Sequence, residues 1–197
     1  MVSVLLYALL WASFGAGHSA LAAPLGRGLL RRIAGAGDRL AYNVIAMVHL
    51  ALVLAIGRRL FADQTFALPD SLRALGWLAA AAGAVVLILA GRNYELARFL
   101  GLAQLRAGTP DQAATPEPLA TGGMNGVVRH PLYLGLLLII WGVATSPFRL
   151  DTAAAATAYL LVGIRFEERN LLRIYGDSYR RYRSHVPMLV PRRLWPR

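Results

Sequence analysis

Long apolar runs limit what this chain can fold into more than any other feature. Val2 to Ala23, Ala41 to Ile56 and Leu72 to Ala90 are almost wholly apolar, and Arg58 and Arg59 can extend the second by reaching back to the interface. A helix of about 20 residues crosses a hydrocarbon layer of roughly 30 Å. Backbone N–H and C=O groups in lipid must pair within the segment, which leaves the α-helix as the form for such runs. Pro131 to Ala144 and Ala153 to Phe166 are shorter, about 15 residues each. They cross only with tilt or local thinning. The alternative is a re-entrant hairpin covered by protein. The expected fold is an all-α integral membrane protein. It has about five transmembrane helices, the last two a short hairpin, followed by an amphipathic C-terminal helix.

Composition agrees with that fold and removes several functions. Of 197 residues 57% are hydrophobic, too many for an ordinary soluble domain. Cysteine is absent, which excludes disulfide frameworks, thiolate metal sites and a cysteine nucleophile. No metal is expected. The formal charge is +11, and all 21 basic residues are arginine. Because the arginines lie between apolar runs, they read as membrane topology and not as a nucleic-acid surface. With five spans, seventeen of the 21 arginines fall on one side, and Arg58, Arg59, Arg73 and Arg149 on the other. The bias sets the N-terminus outside and the C-terminus in the cytoplasm of the cell (inner) membrane. The bilayer is the expected partner, and nothing points to a protein partner.

The chain reads as one membrane domain over 1–197. Residues 1–105 form an N-terminal three-helix scaffold, 106–121 a cytoplasmic loop and 122–197 a cofactor-binding and catalytic region. Ala20-Leu21-Ala22 resembles a small-residue cleavage site, but no basic region precedes a run this long, so Val2 to Ala23 reads as a span. Pro24 to Leu40 is a basic connection, and the stretch with Asp63 and Asp70 a short polar one. Gly76 and Gly83 should let the third span pack closely. Gly91 to Leu105 reads as a helix end that turns along the membrane surface. Pro110, Pro116 and Pro118 mark a solvent loop. Pro131 suits a first helical turn. Ser146-Pro147-Phe148-Arg149 reads as a tight turn, with Asp151 or Thr152 as N-cap of the last span.

Charged groups collect at both ends of the predicted hairpin. Arg129 and His130 precede a helix whose first turn offers N–H donors and a positive dipole end. Glu167 and Glu168 end the fifth span, where carboxylates beside hydrocarbon need partners. The hairpin returns them to the side of Arg129 and His130. Two readings stand on these residues alone: an inter-helix salt bridge, or opposed charges that hold a zwitterionic ligand. Glu168, Leu172, Tyr175, Tyr179 and Tyr182 recur at helical spacing, punctuated at Gly176-Asp177. Such tyrosines anchor a helix at the interface, or line a pocket whose ring faces attract a cation such as a sulfonium. The interleaved Arg169, Arg173, Arg180, Arg181 and Arg183 suit anionic headgroups. His18 and His49 lie within spans one and two, on the order of 8–12 Å from the cytoplasmic boundary. They read as hydrogen-bonded packing, as site residues or as a haem-ligating pair.

The blocks RHPLYLG from Arg129, FEERNLL from Phe166 and YGDSYRRYRSHVP from Tyr175 resemble the isoprenylcysteine carboxyl methyltransferase superfamily of membrane methyltransferases. The likeness is nearest to the methanethiol S-methyltransferase branch. It extends to Phe14-Gly15-Ala16-Gly17-His18-Ser19, to Asn93-Tyr94-Glu95-Leu96 and to Leu102-Ala103-Gln104. The resemblance implies S-adenosylmethionine as methyl donor, bound by the C-terminal region at the cytosolic end. The acceptor would arrive from the membrane or a narrow tunnel. By position, His130, Pro131, Tyr133, Gly135, Glu167 and Glu168 would belong to the cofactor pocket. Arg129 would sit nearest the acceptor, and Tyr179 and Tyr182 would close the site.

Two positions depart from the pattern. Asn125 stands where the family often has an aromatic residue, and His185 where it usually has Arg or Lys before Val-Pro. In carboxylate-methylating relatives that base helps hold the substrate, so His185 argues against an isoprenylcysteine-type carboxyl methyltransferase. The implied reaction is methyl transfer to a small thiol or lipophilic acceptor, with Arg129 or His18 stabilising a thiolate. The alternatives are a non-enzymatic membrane accessory protein of the denitrification-linked type, a haem protein and a reductase of related architecture.

Overall fold

The computed structural model describes residues 1–62, 64–92, 95–108 and 118–192. Asp63, Asn93, Tyr94, Pro110 and Pro116, which entered the expectations above, lie outside the described residues. The described residues are helical or irregular, without strands. The chain divides into two compact units, Met1–Gln64 with Glu95–Thr115, and Thr65–Tyr94 with Pro116–Arg197.

The first unit is built on α1 (Val2–Ala22), α2 (Pro24–Ala34) and α3 (Asp38–Phe61), with the short α5 (Leu96–Leu100) and α6 (Leu102–Ala107) beside them. Its core is aromatic. Tyr7, Trp11, Phe14 and Phe61 are buried, with Tyr7 meeting Phe61 edge-on at 5.7 Å. Pro24 to Leu40 is a helix for most of its length and not an open connection. The cause is local: Pro24 pre-sets the first turn, and Leu30 turns into the core while Leu25, Leu29 and Ile33 stay exposed. Asp38 opens α3, accepts from its neighbour's Arg39 N–H at 2.7 Å and pairs with Arg31 at 3.4 Å. An acid at a helix N-terminus suits the helix dipole.

The second unit holds α4 (Asp70–Gly91), α7 (Pro131–Gly142), α8 (Pro147–Tyr175) and α9 (Asp177–His185), with a 3-10 turn at Gly123–Gly126. α4 and α7 run antiparallel along two glycine pairs, Gly76 with Gly142 and Gly83 with Gly135. A Cβ at any of the four would strike the partner helix, as at Gly135, where it would stand 2.8 Å from the Gly83 carbonyl oxygen. The expectation for Gly76 and Gly83 holds, because only a hydrogen side chain lets the backbones come this close. α8 joins α7 through Trp141, whose indole N–H donates to Thr157 Oγ1 at 3.0 Å. An open apolar groove of about 460 Å³ follows α4 and α7, lined by Leu72, Leu75, Leu134, Leu138 and Trp141.

Val2–Ala22, Pro24–Phe61 and Asp70–Gly91 contain helices long and apolar enough to cross a membrane. Leu9, Met47, Trp77 and Ile88 on these helices are exposed, a surface suited to lipid and not to water. α7, at 12 residues, is shorter than such a span. The fifth predicted run starts earlier than expected, at Pro147 with Ser146 as N-cap, whose Oγ accepts from the Arg149 N–H at 3.3 Å. Asp151 and Thr152 are interior to it. Proline fixes the first turn there, and the serine before it supplies the cap. The helix continues past Glu167-Glu168, as the helical spacing of Glu168, Leu172 and Tyr175 leads one to expect. It runs 29 residues to Tyr175, through Glu, Arg and Leu residues that favour helix, and stops where Gly176 adopts φ 53°.

Candidate functional site

Glu168 is the centre of a cluster that four segments of the second unit build. α8 carries Glu167 and Glu168 on its polar C-terminal half, while Arg129 and His130 sit just before Pro131, at the entry to α7. The tail after α9 fixes that entry. The Arg129 N–H donates to the Pro187 carbonyl at 2.9 Å, and the His130 N–H to Met188 at 3.2 Å.

Arg129 reaches two elements at once. Its Nε and Nη2 lie 2.7 and 2.6 Å from Glu168 Oε1, and its Nη1 donates to the Val186 and Arg183 carbonyls at 2.6 and 3.2 Å. A guanidinium thus satisfies carbonyls at the C-terminal end of α9, where a cation is favoured. His130 is 5% exposed, and its Nε2–H donates to the same Glu168 oxygen at 3.3 Å. That bond sets a proton on Nε2. Its ring stacks on Tyr133 at 5.5 Å, and the Tyr133 hydroxyl donates to Glu167 Oε2 at 2.8 Å.

Glu168 uses its two oxygens differently. Oε1 takes Arg129 and His130, while Oε2 faces Arg183 Nη1 at 3.8 Å, beyond hydrogen-bond distance. Burial alone would raise this carboxyl, but the Arg129 hydrogen bond and charge, with His130, hold it below the usual carboxylate range. Tyr179 is almost fully buried beside it. Burial, then the Glu168 charge and a hydrogen bond to Glu168, push its phenol well above the usual tyrosine range. Tyr182 lies ring to ring with Tyr179 at 5.8 Å and donates to the Asn125 carbonyl at 2.7 Å.

The structure therefore brings Arg129, His130, Tyr133, Glu167, Glu168, Tyr179 and Tyr182 into one contiguous set. Pro131 is buried at the first turn of α7, and Gly135 faces α4, against Gly83 and Leu87. Sequence reasoning did not single out Arg183 as a partner of Glu168, or the Pro187 and Met188 carbonyls. Main-chain pairing leaves no side-chain signature. His18 belongs to the first unit, where the Tyr42 hydroxyl lies 2.5 Å from its Nε2. His49 Nε2 lies 3.3 Å from Ser13 Oγ, and the Phe14 ring contacts both imidazoles, at 5.7 and 5.6 Å. Tyr42 precedes His49 by two helical turns, the one sequence signal that could have found it.

Comparison with known proteins gives the same direction. Methanethiol S-methyltransferase 1 of Bradyrhizobium diazoefficiens is 38% identical over 100 residues, 50% of this chain and 34% of that one. A methanethiol S-methyltransferase of a Pseudomonas species is 29% identical over 208 residues, covering 98% of this chain and 75% of its own. The protein-S-isoprenylcysteine O-methyltransferase of Schizosaccharomyces pombe is 35% identical over 80 residues, 37% of this chain and 33% of that one. Over the matched regions the chain is similar to members of the isoprenylcysteine methyltransferase-like superfamily. It spans less than half the length of the two Bradyrhizobium relatives, 34% of one and 43% of the other. No family model and no solved structure matches it. In this chain the three motif blocks are one structure: the first opens α7, the second is the polar half of α8, and the third is α9 with its tail.

Proposed function

We propose that the protein is an S-adenosylmethionine-dependent membrane methyltransferase that acts on a small thiol of the methanethiol kind, or on another lipophilic acceptor. The observation that carries this reading is the half-buried Glu168 carboxylate. One oxygen is fixed by Arg129 and His130, and the other faces the Arg183 guanidinium at 3.8 Å, a cation that a ligand ammonium would displace. When bound, S-adenosylmethionine supplies a methyl group on a sulfonium, already activated for displacement. The residues fit such a group. Glu168 Oε2 suits its ammonium, and the Tyr179 and Tyr182 rings suit its positive sulfur. Buried Asn125 Oδ1 offers a polar atom that no described group satisfies.

The chain's own work in the reaction is placement and dryness, since a displacement at carbon needs the nucleophile held in line and water kept out. Arg129 holds Glu168 and the end of α9 together. A further Nη2 hydrogen is the group we assign to the acceptor sulfur, where it would favour thiolate over thiol. Tyr133 keeps Glu167 turned toward His130. His18, paired with Tyr42, is a candidate to take the acceptor's proton, and His18→Gln tests it by its effect on turnover.

The five-span reading also draws support from the second unit. The Phe66 N–H donates to the Thr145 carbonyl at 3.1 Å, so the chain entering α4 and the chain leaving α7 lie at the same end. With the glycine pairs in register between them, α7 runs back along α4 past Gly83 and Gly76. Five spans, with the N-terminus outside the cell membrane, place residue 144 outside. Three spans leave it in the cytoplasm. In this cysteine-free chain, Ala144→Cys labelled by an impermeant maleimide separates the two. The enzymatic reading is tested by calorimetry of S-adenosylmethionine with the detergent-purified protein and with Glu168→Ala. Saturable binding lost in the variant is expected, followed by methyl transfer to methanethiol. A well-folded protein that binds nothing refutes it.

A further inference from the structure

The residues of α2 sort by angle into three arcs. Successive residues turn about 100° around an α-helix, so Leu25, Leu29 and Ile33 fall within one arc of about 80°. All three are exposed, at 88%, 54% and 74%. The next arc faces the protein: Leu30 is buried, and a Cβ on Gly26 would strike the Ala20 carbonyl oxygen. Arg27, Gly28, Arg31 and Arg32 fill the rest of the circumference, and all four are exposed.

What covers the exposed apolar arc follows from where the chain puts this helix. α2 joins and touches α1 and α3, both in segments long and apolar enough to cross a membrane. Val44, Met47 and Val48, in the first half of α3, are exposed, so a surface suited to lipid starts close to α2. Extended backbone at Ala23 and φ 55° at Gly35 break the chain on either side and make α2 a rod of its own. Such a rod, tied at both ends to spans, sits where hydrocarbon meets headgroups. An apolar stripe opposite an arginine-rich face suits a helix lying in that plane. Charge selects the lipid. Arg31 pairs with Asp38 at 3.4 Å, whereas Arg27 and Arg32 have no acidic partner among the described residues. Their stems are long enough to reach headgroups, and a guanidinium fork matches a phosphate.

We infer that α2 is an interfacial anchor for anionic phospholipid. Leu25, Leu29 and Ile33 seat among the acyl chains of the adjoining leaflet, and Arg27 and Arg32 hold lipid phosphates. This surface belongs to the first unit and does not depend on the methyl donor.

The test uses the full chain in vesicles. It has no cysteine, so a fluorophore can be placed at Leu29→Cys, Ile33→Cys or Gly28→Cys, the last where a Cβ meets nothing within 4 Å. Lipids brominated on their acyl chains should quench the label at Leu29→Cys and at Ile33→Cys. Water-soluble acrylamide should quench it at Gly28→Cys. Brominated phosphatidylglycerol in phosphatidylcholine should reach half-quenching of the Leu29→Cys label at about five-fold lower mole fraction than brominated phosphatidylcholine in phosphatidylglycerol, the gain expected from one arginine at an anionic surface. Arg27→Gln with Arg32→Gln should bring the two midpoints together. Labels at Leu29→Cys and Ile33→Cys that brominated lipid leaves untouched overturn the anchor: acrylamide quenching would put the stripe in water, and shielding from both quenchers would put protein, such as a second copy, on it. Equal midpoints in the wild-type background, or a preference that survives the double substitution, overturn the selection of anionic lipid.

Discussion

In the first unit, two imidazoles are met by hydroxyls, His18 by Tyr42 and His49 by Ser13, with the Phe14 ring against both. In the second, one carboxylate is shared by Arg129 and His130 and approached by Arg183, and Arg129 is shared in turn between α8 and the end of α9. The difference lies in what a broken bond leaves behind. A neutral pair that separates loses one hydrogen bond, and in lipid such bonds are worth about 0.6 kcal/mol on average. A shared ion that loses its partner leaves charge buried, at about 3–5 kcal/mol. The first unit's polar groups are local fastenings, whereas the second unit's cluster is a junction on which several segments depend.

The largest expected effect is therefore Glu168→Ala. It strands Arg129 and His130, and should lower stability in detergent by about 3 kcal/mol or more while abolishing S-adenosylmethionine binding. Thermal unfolding and calorimetry read the two losses. A variant as stable as the wild type would mean that the cluster is no junction. Arg129→Ala should cost stability and cofactor affinity together, because Arg129 and Glu168 act through the same bond.

Gly83→Leu probes the second unit away from charge. Its side chain would enter the contact with Gly135 and Ile139, where a carbonyl oxygen cannot yield as a side-chain end can. Overpacking of this kind costs about 1–3 kcal/mol. The variant should unfold earlier yet keep its affinity for ligand at low temperature, which separates packing from recognition.

Smaller again is a dependence on acid. Glu168 has a folded pKa below its unfolded value, so the stability it adds is fully present above the unfolded pKa, about 4.5. It is lost as pH falls through the folded value. Unfolding midpoints followed from pH 6 downward should show this loss in the wild type and in His18→Gln, and not in Glu168→Gln. An identical acid limb in Glu168→Gln would assign it to another carboxyl.

What the chain's sequence disclosed, and what it hid, follows the same division. The apolar runs set α1 and α4 to within about two residues and the middle of α3, which extends beyond its run at both ends, because hydrophobic length is a one-dimensional property. Pro131 marked the start of α7, Gly176 the break before α9, and Gly76 and Gly83 the close face of α4. Arg129, His130, Glu167 and Glu168 were expected on one face, since a hairpin returns its ends together. The helical spacing from Glu168 through Leu172 to Tyr175 disclosed that α8 runs on past its apolar stretch to Gly176. Two things were not legible. The start of α8 was placed late, because Ser-Pro reads equally as a turn and as a cap. The capture of the α9 carbonyls by Arg129 could not be read, since the acceptors are main chain and carry no residue identity.

The smallest effect sharpens the comparison from the other side. Tyr42→Phe removes the hydroxyl that lies 2.5 Å from His18 Nε2 and leaves the ring, which also contacts the imidazole at 5.0 Å between centroids. With aromatic packing kept, the loss should be under about 1 kcal/mol, in the range of single hydrogen bonds between membrane helices. Affinity for S-adenosylmethionine should not move. His18 then becomes informative through turnover: a variant with normal stability and cofactor affinity but slowed transfer to a thiol would give the Tyr42–His18 pair a part in handling the acceptor's proton. If Tyr42→Phe instead costs as much as Glu168→Ala, the first unit's pairs are junctions too, and the contrast between local fastening and shared ion fails.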